Sequence, residues 1–352
     1  MISNIRLSDF KFKLPKSFIA KYPVDPRNTS RLMVLNKETG ETQNKNFLDI
    51  MSIIQRGDTL VLNETKVFPA RIFGVKERTN AKIEVLLLRE LKTEEENLWD
   101  IIVEPARKVR EGNKVYFDGN KFYCEVIGNT TSRGRTVKLA YNGNIHDILD
   151  RMGEMPLPAY IDRLPEDFDK KAYQTEFASD SHINSIAPPS AGLHFTADMI
   201  EKLENKGVKI AKINISIGQG IFDVITTEDL SKHTAYHECF EISSAAAEMI
   251  NKTLKAKKNV YAVGCSVVRA LESSVLTTGQ VKPNKDWADK FIFPPYNFKI
   301  VTRFLTNFHQ PASPSLLLAC AFGEKDNVLK AYKKAMKYDY RFHCYGDAML
   351  II

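Results

Sequence analysis

The stretch Val260-Tyr261-Ala262-Val263-Gly264-Cys265-Ser266-Val267-Val268-Arg269-Ala270-Leu271-Glu272-Ser273 changes character at its glycine. Four apolar, largely β-branched or aromatic residues precede the glycine and predict a buried strand over 260–263. After two small residues the apolar positions recur at helical spacing, and a helix is expected over 267–277. A strand passing through one glycine into a helix is the unit from which parallel α/β sheets are assembled. Free amides at such a helix N-terminus attract anions and carboxylates, and Arg269 lies near its start. A plain tight turn, with Arg269 paired to a surface acid, would read the same way.

The pattern extends outward from this stretch. Residues 208–217 read as an apolar strand, and a helix is expected over 197–206. Thr196 can cap that helix, Asp198 suits its first turn and Gly207 its end. Helices are also expected over 244–257 and 325–337, and a strand over 31–36. Residues 47–55 have helical spacing closed by Gly57. Alternation of this kind predicts an α/β domain with partly parallel strands.

Between Asp58 and Tyr141 helical periodicity nearly vanishes. Short β-rich runs recur at 59–62, 67–75, 82–88, 99–103, 115–117, 122–127 and 136–141, most of them separated by turn residues such as Gly112-Asn113 and Asp118-Gly119-Asn120. Strands this short and regular predict a small antiparallel barrel. The expected architecture is therefore a mixed α/β catalytic domain (1–62 and 153–352) interrupted by an inserted β-barrel domain (63–152).

Composition excludes little but sets bounds. With 352 residues, 43% hydrophobic and 26% charged, the chain can bury a sizeable core. No apolar run approaches the ~20 residues that cross a bilayer. The longest, 316–322, suits a buried segment, and the charged N-terminus has no signal-peptide core. Five scattered cysteines without a CxxC pair suggest reduced thiols, a cytoplasmic location and no metal site. Fifty basic against 43 acidic residues leave a net charge of +7, which is compatible with a phosphate-rich partner without demanding one.

Several stretches concentrate chemistry. Ile186-Ala187-Pro188-Pro189-Ser190-Ala191-Gly192-Leu193-His194-Phe195-Thr196 stiffens the backbone, strips its side chains and then places one imidazole ahead of a helix. A flat ligand could lie against Ser190 and Gly192. Ile217-Gly218-Gln219-Gly220-Ile221-Phe222 ends a strand in two glycines, suiting either a loop or close ligand approach. Thr306-Asn307-Phe308-His309 sets polar side chains at an apolar strand end, and His309 is either a satisfied core residue or an acid/base. Tyr340-Arg341-Phe342-His343-Cys344-Tyr345-Gly346-Asp347 crowds aromatics with an arginine and an aspartate that need partners. In Asn63-Glu64-Thr65-Lys66-Val67-Phe68-Pro69-Ala70-Arg71, Lys66 and Arg71 could reach a phosphate or carboxylate, or simply form a charged domain junction.

In this order the stretches resemble the S-adenosylmethionine:tRNA ribosyltransferase-isomerase family of queuosine biosynthesis. Residues 187–195 are similar to its AAPTAGLHF, 262–273 to AVGTTSVRxLES, 306–311 to TNFHLP, and 340–351 to YRFxxYGDAMLI. The resemblance spans nearly the whole chain. It implies transfer and isomerisation of the ribosyl group of S-adenosylmethionine onto a 7-aminomethyl-7-deazaguanine at the wobble position of tRNA with a GUN anticodon. Epoxyqueuosine-tRNA, adenine and methionine are the implied products, from a monomer that needs neither metal nor redox cofactor and no membrane.

A sulfonium acidifies the adjacent ribose hydrogens, so a base is needed, and adenine must leave with a proton. Steps of this kind use a positioned His or carboxylate. The catalytic candidates are His194, His309 and Asp347. The substrate-binding candidates are Lys66, Arg71, Ser190, Gly192, Gly218, Gly220, Gly264, Ser266, Arg269, Thr306, Asn307 and Arg341.

The chain departs from the pattern inside these motifs. Ser190 replaces Thr, Cys265 and Val267 replace hydroxyl residues, Ile221 replaces Thr, and Tyr236 stands where HxMHxE has its second His. Transfer to another acceptor, such as a free deazaguanine, therefore stays open, as does a catalytically weak RNA-binding homologue.

Overall fold

The computed structural model describes residues 5–91, 97–218, 220 and 225–352. Its first strands are β1 (Arg31–Leu35), β2 (Thr42–Asn46) and β3 (Thr59–Asn63), with a one-turn helix α1 (Ile50–Ile53) between β2 and β3. A short β4 (Lys66–Val67) leads to β5 (Arg71–Lys76), β6 (Lys82–Leu91), β7 (Leu98–Glu104), β8 (Lys114–Asp118), β9 (Phe122–Asn129) and β10 (Gly134–Ala140). Beyond lie α2 (Ile145–Met152), α3 (Asp169–Ala172), β11 (Ile183–Ser185), α4 (Ala197–Asn205) and β12 (Lys209–Ile215). The chain closes with β13 (Glu238–Ile242), α5 (Ser244–Lys255), β14 (Val260–Val263), α6 (Cys265–Ser273), β15 (Asn284–Ala288), β16 (Arg303–Asn307), α7 (Pro314–Gly323), α8 (Lys325–Lys337) and β17 (Ala348–Ile351).

Among the described residues β5–β10 close into an antiparallel barrel, ordered β10-β7-β6-β5-β8-β9 and filled by Val85, Leu87, Ile101, Val103, Val115 and Val126. Nine other strands form one mixed sheet, ordered β15-β13-β12-β3-β14-β16-β17-β1-β2. Its centre, β12-β3-β14-β16, is parallel.

Alternation along these strands feeds two separate cores. Leu32, Leu60, Leu62, Val263, Leu305 and Leu350 face the layer holding α1 and α4. Their neighbours Met33, Val61, Ala262, Phe304, Met349 and Ile351 face α5 to α8. A sheet buried on both faces needs apolar residues at both phases, as the run 260–263 shows. Helix α7 (PSLLLACAFG) is apolar all round because it lies inside the second of these layers.

Local chemistry explains most boundaries. Thr196 Oγ1 accepts from the amide of Met199 (3.3 Å) and starts α4; Ser243 and Ser313 do the same for α5 and α7. The expected run at 67–75 divides into β4 and β5 because Pro69, without an amide hydrogen, interrupts it. The helical spacing of 47–55 yields only a 3₁₀ turn and α1. Helix α6 starts at Cys265, two residues earlier than its periodicity suggested, and ends at Ser273. Among the described residues no helix is long and apolar enough to cross a membrane.

Candidate active site

Ligands of parallel sheets settle beyond the carboxyl ends of the strands. Here a cleft opens there, lined by Ile217 and Gly220 after β12, by Gly264, Cys265 and Ser266 after β14, and by Thr306, Asn307 and His309 at the end of β16. Pro188, Pro189 and Ser190 form a further wall; Tyr160, Glu238, Arg269 and His343 are among its other polar lining residues. Gly264 adopts φ +94°, which disfavours any side chain and lets β14 turn directly into α6. No side chain caps α6, so its first turn presents open amides at the cleft. Asn63, buried at the end of β3, braces this junction: its Nδ2 donates to Ile215 O (2.9 Å) and Ser266 Oγ (3.4 Å).

His309 is partly buried, with Nε2 2.6 Å from Thr306 Oγ1 and 3.6 Å from Cys265 Sγ. Its backbone amide donates to Tyr332 Oη (3.0 Å), so both ends of the residue are tethered. Burial, helped by the neighbouring His343, holds its pKa down at about 3, and the ring is neutral at pH 7. Glu238, among the described lining residues the single carboxylate, is raised above the ordinary range by burial. Arg269 and the Gly218 amide oppose that rise.

The other candidate residues fall into different places. His194 does not line this cleft. It is buried against the Phe47 ring (4.9 Å), with Nδ1 2.7 Å from Ser30 Oγ and Nε2 3.3 Å from Asn307 Nδ2. Asn307 Nδ2 also donates to His343 O (3.1 Å). Since an amide nitrogen only donates, His194 Nε2 accepts and its Nδ1–H donates to Ser30. His194 thereby fixes which way the Asn307 amide faces, leaving Asn307 Oδ1 buried without a partner.

Gly192 is bare for packing rather than for a ligand, because an added Cβ would lie 2.7 Å from the Phe177 ring. Arg269 lines the cleft, but four of its five N–H donors go to Glu238, Tyr236 O, Ala288 O and Lys290 O, so its charge is largely committed within the protein. Asp347 lies away from the cleft, accepting from the amides of Arg31 (2.9 Å) and Arg341 (2.8 Å). Arg341 reaches Tyr22 O, Lys66 pairs with Asp180, and Arg71 pairs with Glu84 at 3.0 Å, all outside the cleft. Gly218 meets the site only through its amide to Glu238.

Of the departures, Ser190, Cys265 and Tyr236 line the cleft, whereas Val267 is a buried core residue of α6. Ile221 lies outside the described residues. The sequence reading had not singled out Glu238, Tyr160 or His343. The acid that opens the otherwise alternating β13 was a usable signal for Glu238.

One stability prediction arises here. Burial holds the His194 pKa at about 4 against an ordinary 6.5. Between those values the unfolded chain binds a proton that the folded chain refuses. The contribution of His194 is therefore complete above pH 6.5 and lost as pH falls toward 4. The loss from pH 7 to pH 5 is about 2 kcal/mol. Urea midpoints at the two pH values should differ less in His194→Gln than in the parent chain; equal differences would refute this.

The comparisons with known proteins agree with one another. A family model described as "Queuosine biosynthesis protein" matches residues 7–351. The chain is 48% identical over 351 residues to an S-adenosylmethionine:tRNA ribosyltransferase-isomerase of Cytophaga hutchinsonii, covering 99% of this chain and 100% of the relative. It is 48% identical over 350 residues, with the same coverage, to a protein of the same name from Chloroherpeton thalassium. Among solved structures, that of an S-adenosylmethionine tRNA ribosyltransferase from Thermotoga maritima is similar, with a TM-score of 0.54 and 31% identity. It covers 98% of this chain and 100% of its own.

Proposed function

This chain belongs to the queuosine biosynthesis protein family, and from that premise we propose how its cleft performs ribosyl transfer. Its activity is that of an S-adenosylmethionine:tRNA ribosyltransferase-isomerase, with S-adenosylmethionine as co-substrate and tRNA as acceptor. The finer reading is that a monomer in the cytoplasm modifies a 7-aminomethyl-7-deazaguanine at the wobble position of tRNA with a GUN anticodon. Epoxyqueuosine-tRNA is then formed, with adenine and methionine released. Residues 63–152 act in it as an inserted barrel domain.

The observation that carries this reading is convergence. Residues from three separated motifs, Ser190, Gly264 with Ser266, and Thr306 with Asn307 and His309, meet in one cleft at the ends of parallel strands. The open first turn of α6 suits the carboxylate of the methionine moiety. Glu238 is the lining carboxylate available to a sulfonium, shared with Arg269, and the cationic sulfur itself acidifies the adjacent C5′ hydrogens. His309, neutral at pH 7 and held by Thr306, handles the proton moved at the reacting centre. His194 and Asp347 are positioning groups in this scheme, the first for Asn307 and the second for the segment 341–347.

The test is incubation with S-adenosylmethionine and tRNA bearing the 7-aminomethyl-7-deazaguanine base, followed by assay of free adenine and of the tRNA nucleosides. Stoichiometric adenine and epoxyqueuosine are expected. Adenine without modified tRNA would redirect the reading to another acceptor, which Cys265 and Tyr236 in the cleft would then explain. No adenine at all would sink it.

A further inference from the structure

Asn307 Oδ1 and His343 Nε2 are buried atoms of cleft-lining residues without a hydrogen-bond partner, and the two residues meet through Asn307 Nδ2 and His343 O. Asn307 is 1% exposed and has both amide hydrogens committed, one to His194 Nε2 and one to His343 O. Its Oδ1 is left with no donor. His343 is 6% exposed, and its Nε2 is likewise without a partner. Everything else about His343 is held firmly. Its amide donates to Phe308 O (2.8 Å), its carbonyl accepts from Asn307 and Gly346, and its ring stacks on Tyr160 at 4.2 Å. Its backbone sits at φ +70°, in the left-handed region that non-glycine residues seldom occupy. A chain that strains a residue into this position, pins it from three sides and leaves its outermost nitrogen dry has built half of a hydrogen-bonding site.

The missing half can be described by its chemistry. Asn307 Oδ1 requires a donor, because its own donors are spent. His343, whose carbonyl accepts from Asn307 Nδ2, lines the same cleft, and its Nε2 requires an acceptor in the tautomer that carries the ring proton there. A planar heterocycle carrying an exocyclic amine next to a ring nitrogen offers that pair on one edge, and adenine does so through its 6-amino group and the flanking ring nitrogen. The 7-deazaguanine acceptor has lost the ring nitrogen at position 7 but keeps donor–acceptor pairs at N1–H with O6 and at its 2-amine with N3, so the comparison that isolates the amine-bearing edge is adenine against purine.

We propose that Asn307 Oδ1 and His343 Nε2 read the amine-bearing edge of the adenine of S-adenosylmethionine and hold that base as it departs. The inference rests on the ribosyl-transfer reading for its biological sense, but the recognition itself can be tested without turnover. His343 occupies a position that the family pattern YRFxxYGDAMLI leaves open, so this contact is a feature of this chain rather than one implied by the resemblance.

The experiment is calorimetric titration of the full-length chain with adenine, with purine, which lacks the amine, and with 7-deazaadenine. The parent chain is expected to bind adenine at least about tenfold more tightly than purine, since a site built for a polar partner rejects an analogue that leaves it unpaired. Comparison with 7-deazaadenine shows whether the ring nitrogen at position 7 is the one read. His343→Phe should lose about tenfold in adenine affinity while its thermal midpoint stays level or rises, because it removes an unpaired buried nitrogen. His343→Gln, which restores a donor at the same reach, should recover most of the affinity.

A purely structural role for His343 would instead lower the midpoint and leave the preference for adenine over purine intact. Equal affinity of the parent chain for adenine and purine would overturn the proposal, as would parental adenine binding by His343→Phe or no adenine binding at all. Should His343→Phe fail to fold, the purine and His343→Gln measurements still decide. A parent chain that binds adenine selectively yet releases none from S-adenosylmethionine with tRNA would sink the ribosyl-transfer reading and leave this one standing.

Discussion

Replacing His309 by Ala is expected to lower the single-turnover rate of adenine release by ~10²–10⁴-fold, the range for losing one positioned acid or base. The dissociation constant for S-adenosylmethionine should change far less. The basis is geometric. Among the described residues His309 lines the cleft with its Nε2 placed by Thr306 Oγ1 at 2.6 Å and its amide tied to Tyr332. Its ring is neutral at physiological pH because burial holds the pKa near 3. The neutral ring keeps the lone pair that an imidazolium lacks, but burial makes it a weak base, so its expected contribution rests on placement rather than basicity. Thr306→Val should give a smaller loss of roughly tenfold, since it keeps the imidazole but frees its orientation. Parental rates in His309→Ala, with normal binding, would remove the residue from the chemistry and leave Glu238 as the proton acceptor to test next. Thermal melts of each variant separate these outcomes from unfolding.

Much of the scaffold was legible from local patterns, because the forces that set it are local. The barrel strands follow from β-rich runs punctuated by glycine and asparagine turns. The start of α4 follows from the Thr196 cap, and β14 from four apolar residues before a glycine. The direction in which a polar side chain points is not local. His194 looked like an imidazole aimed at a ligand from a rigid mount, but its role depends on Asn307, which arrives 113 residues later, and on Ser30, 164 residues earlier. Gly192 looked like backbone stripped for substrate, yet its missing Cβ makes room for Phe177. Arg269 lies at the cleft but in the middle of α6 rather than near its start, and its charge is absorbed by Glu238, which sits on β13. In each case a long-range pairing decided the matter. His343 is the reverse case: in the sequence it stands among crowded aromatics with no role of its own, and the fold places it, at φ +70°, in the lining of the cleft.

Asp347→Ala is expected to cost about 2–5 kcal/mol of stability while leaving the chemical step largely intact. Asp347 is 2% exposed and accepts from the backbone amides of Arg31 and Arg341, and each buried amide stripped of its acceptor costs ~1–3 kcal/mol. The Arg31 guanidinium, 3.3 Å away, adds little, because its side chain is 38% exposed and water replaces the carboxylate. Asp347→Asn keeps one acceptor oxygen and should lose less. The functional consequence runs through the loop. The Asp347 amide donates back to Arg341 O (2.8 Å), so the pair pinches 341–347 into a closed turn whose apex is His343. Gly346 is required inside that turn, since an added Cβ would lie 2.4 Å from Arg341 O. Loosening the pinch should therefore weaken binding of S-adenosylmethionine and adenine at temperatures where Asp347→Ala is still folded, with single-turnover rates at saturation close to those of the parent. Chemical denaturation measures the first effect, and titration with adenine measures the second. A variant that keeps its stability but loses the chemical step would instead place Asp347 among the reacting groups, and the turn would need another explanation for its buried carboxylate.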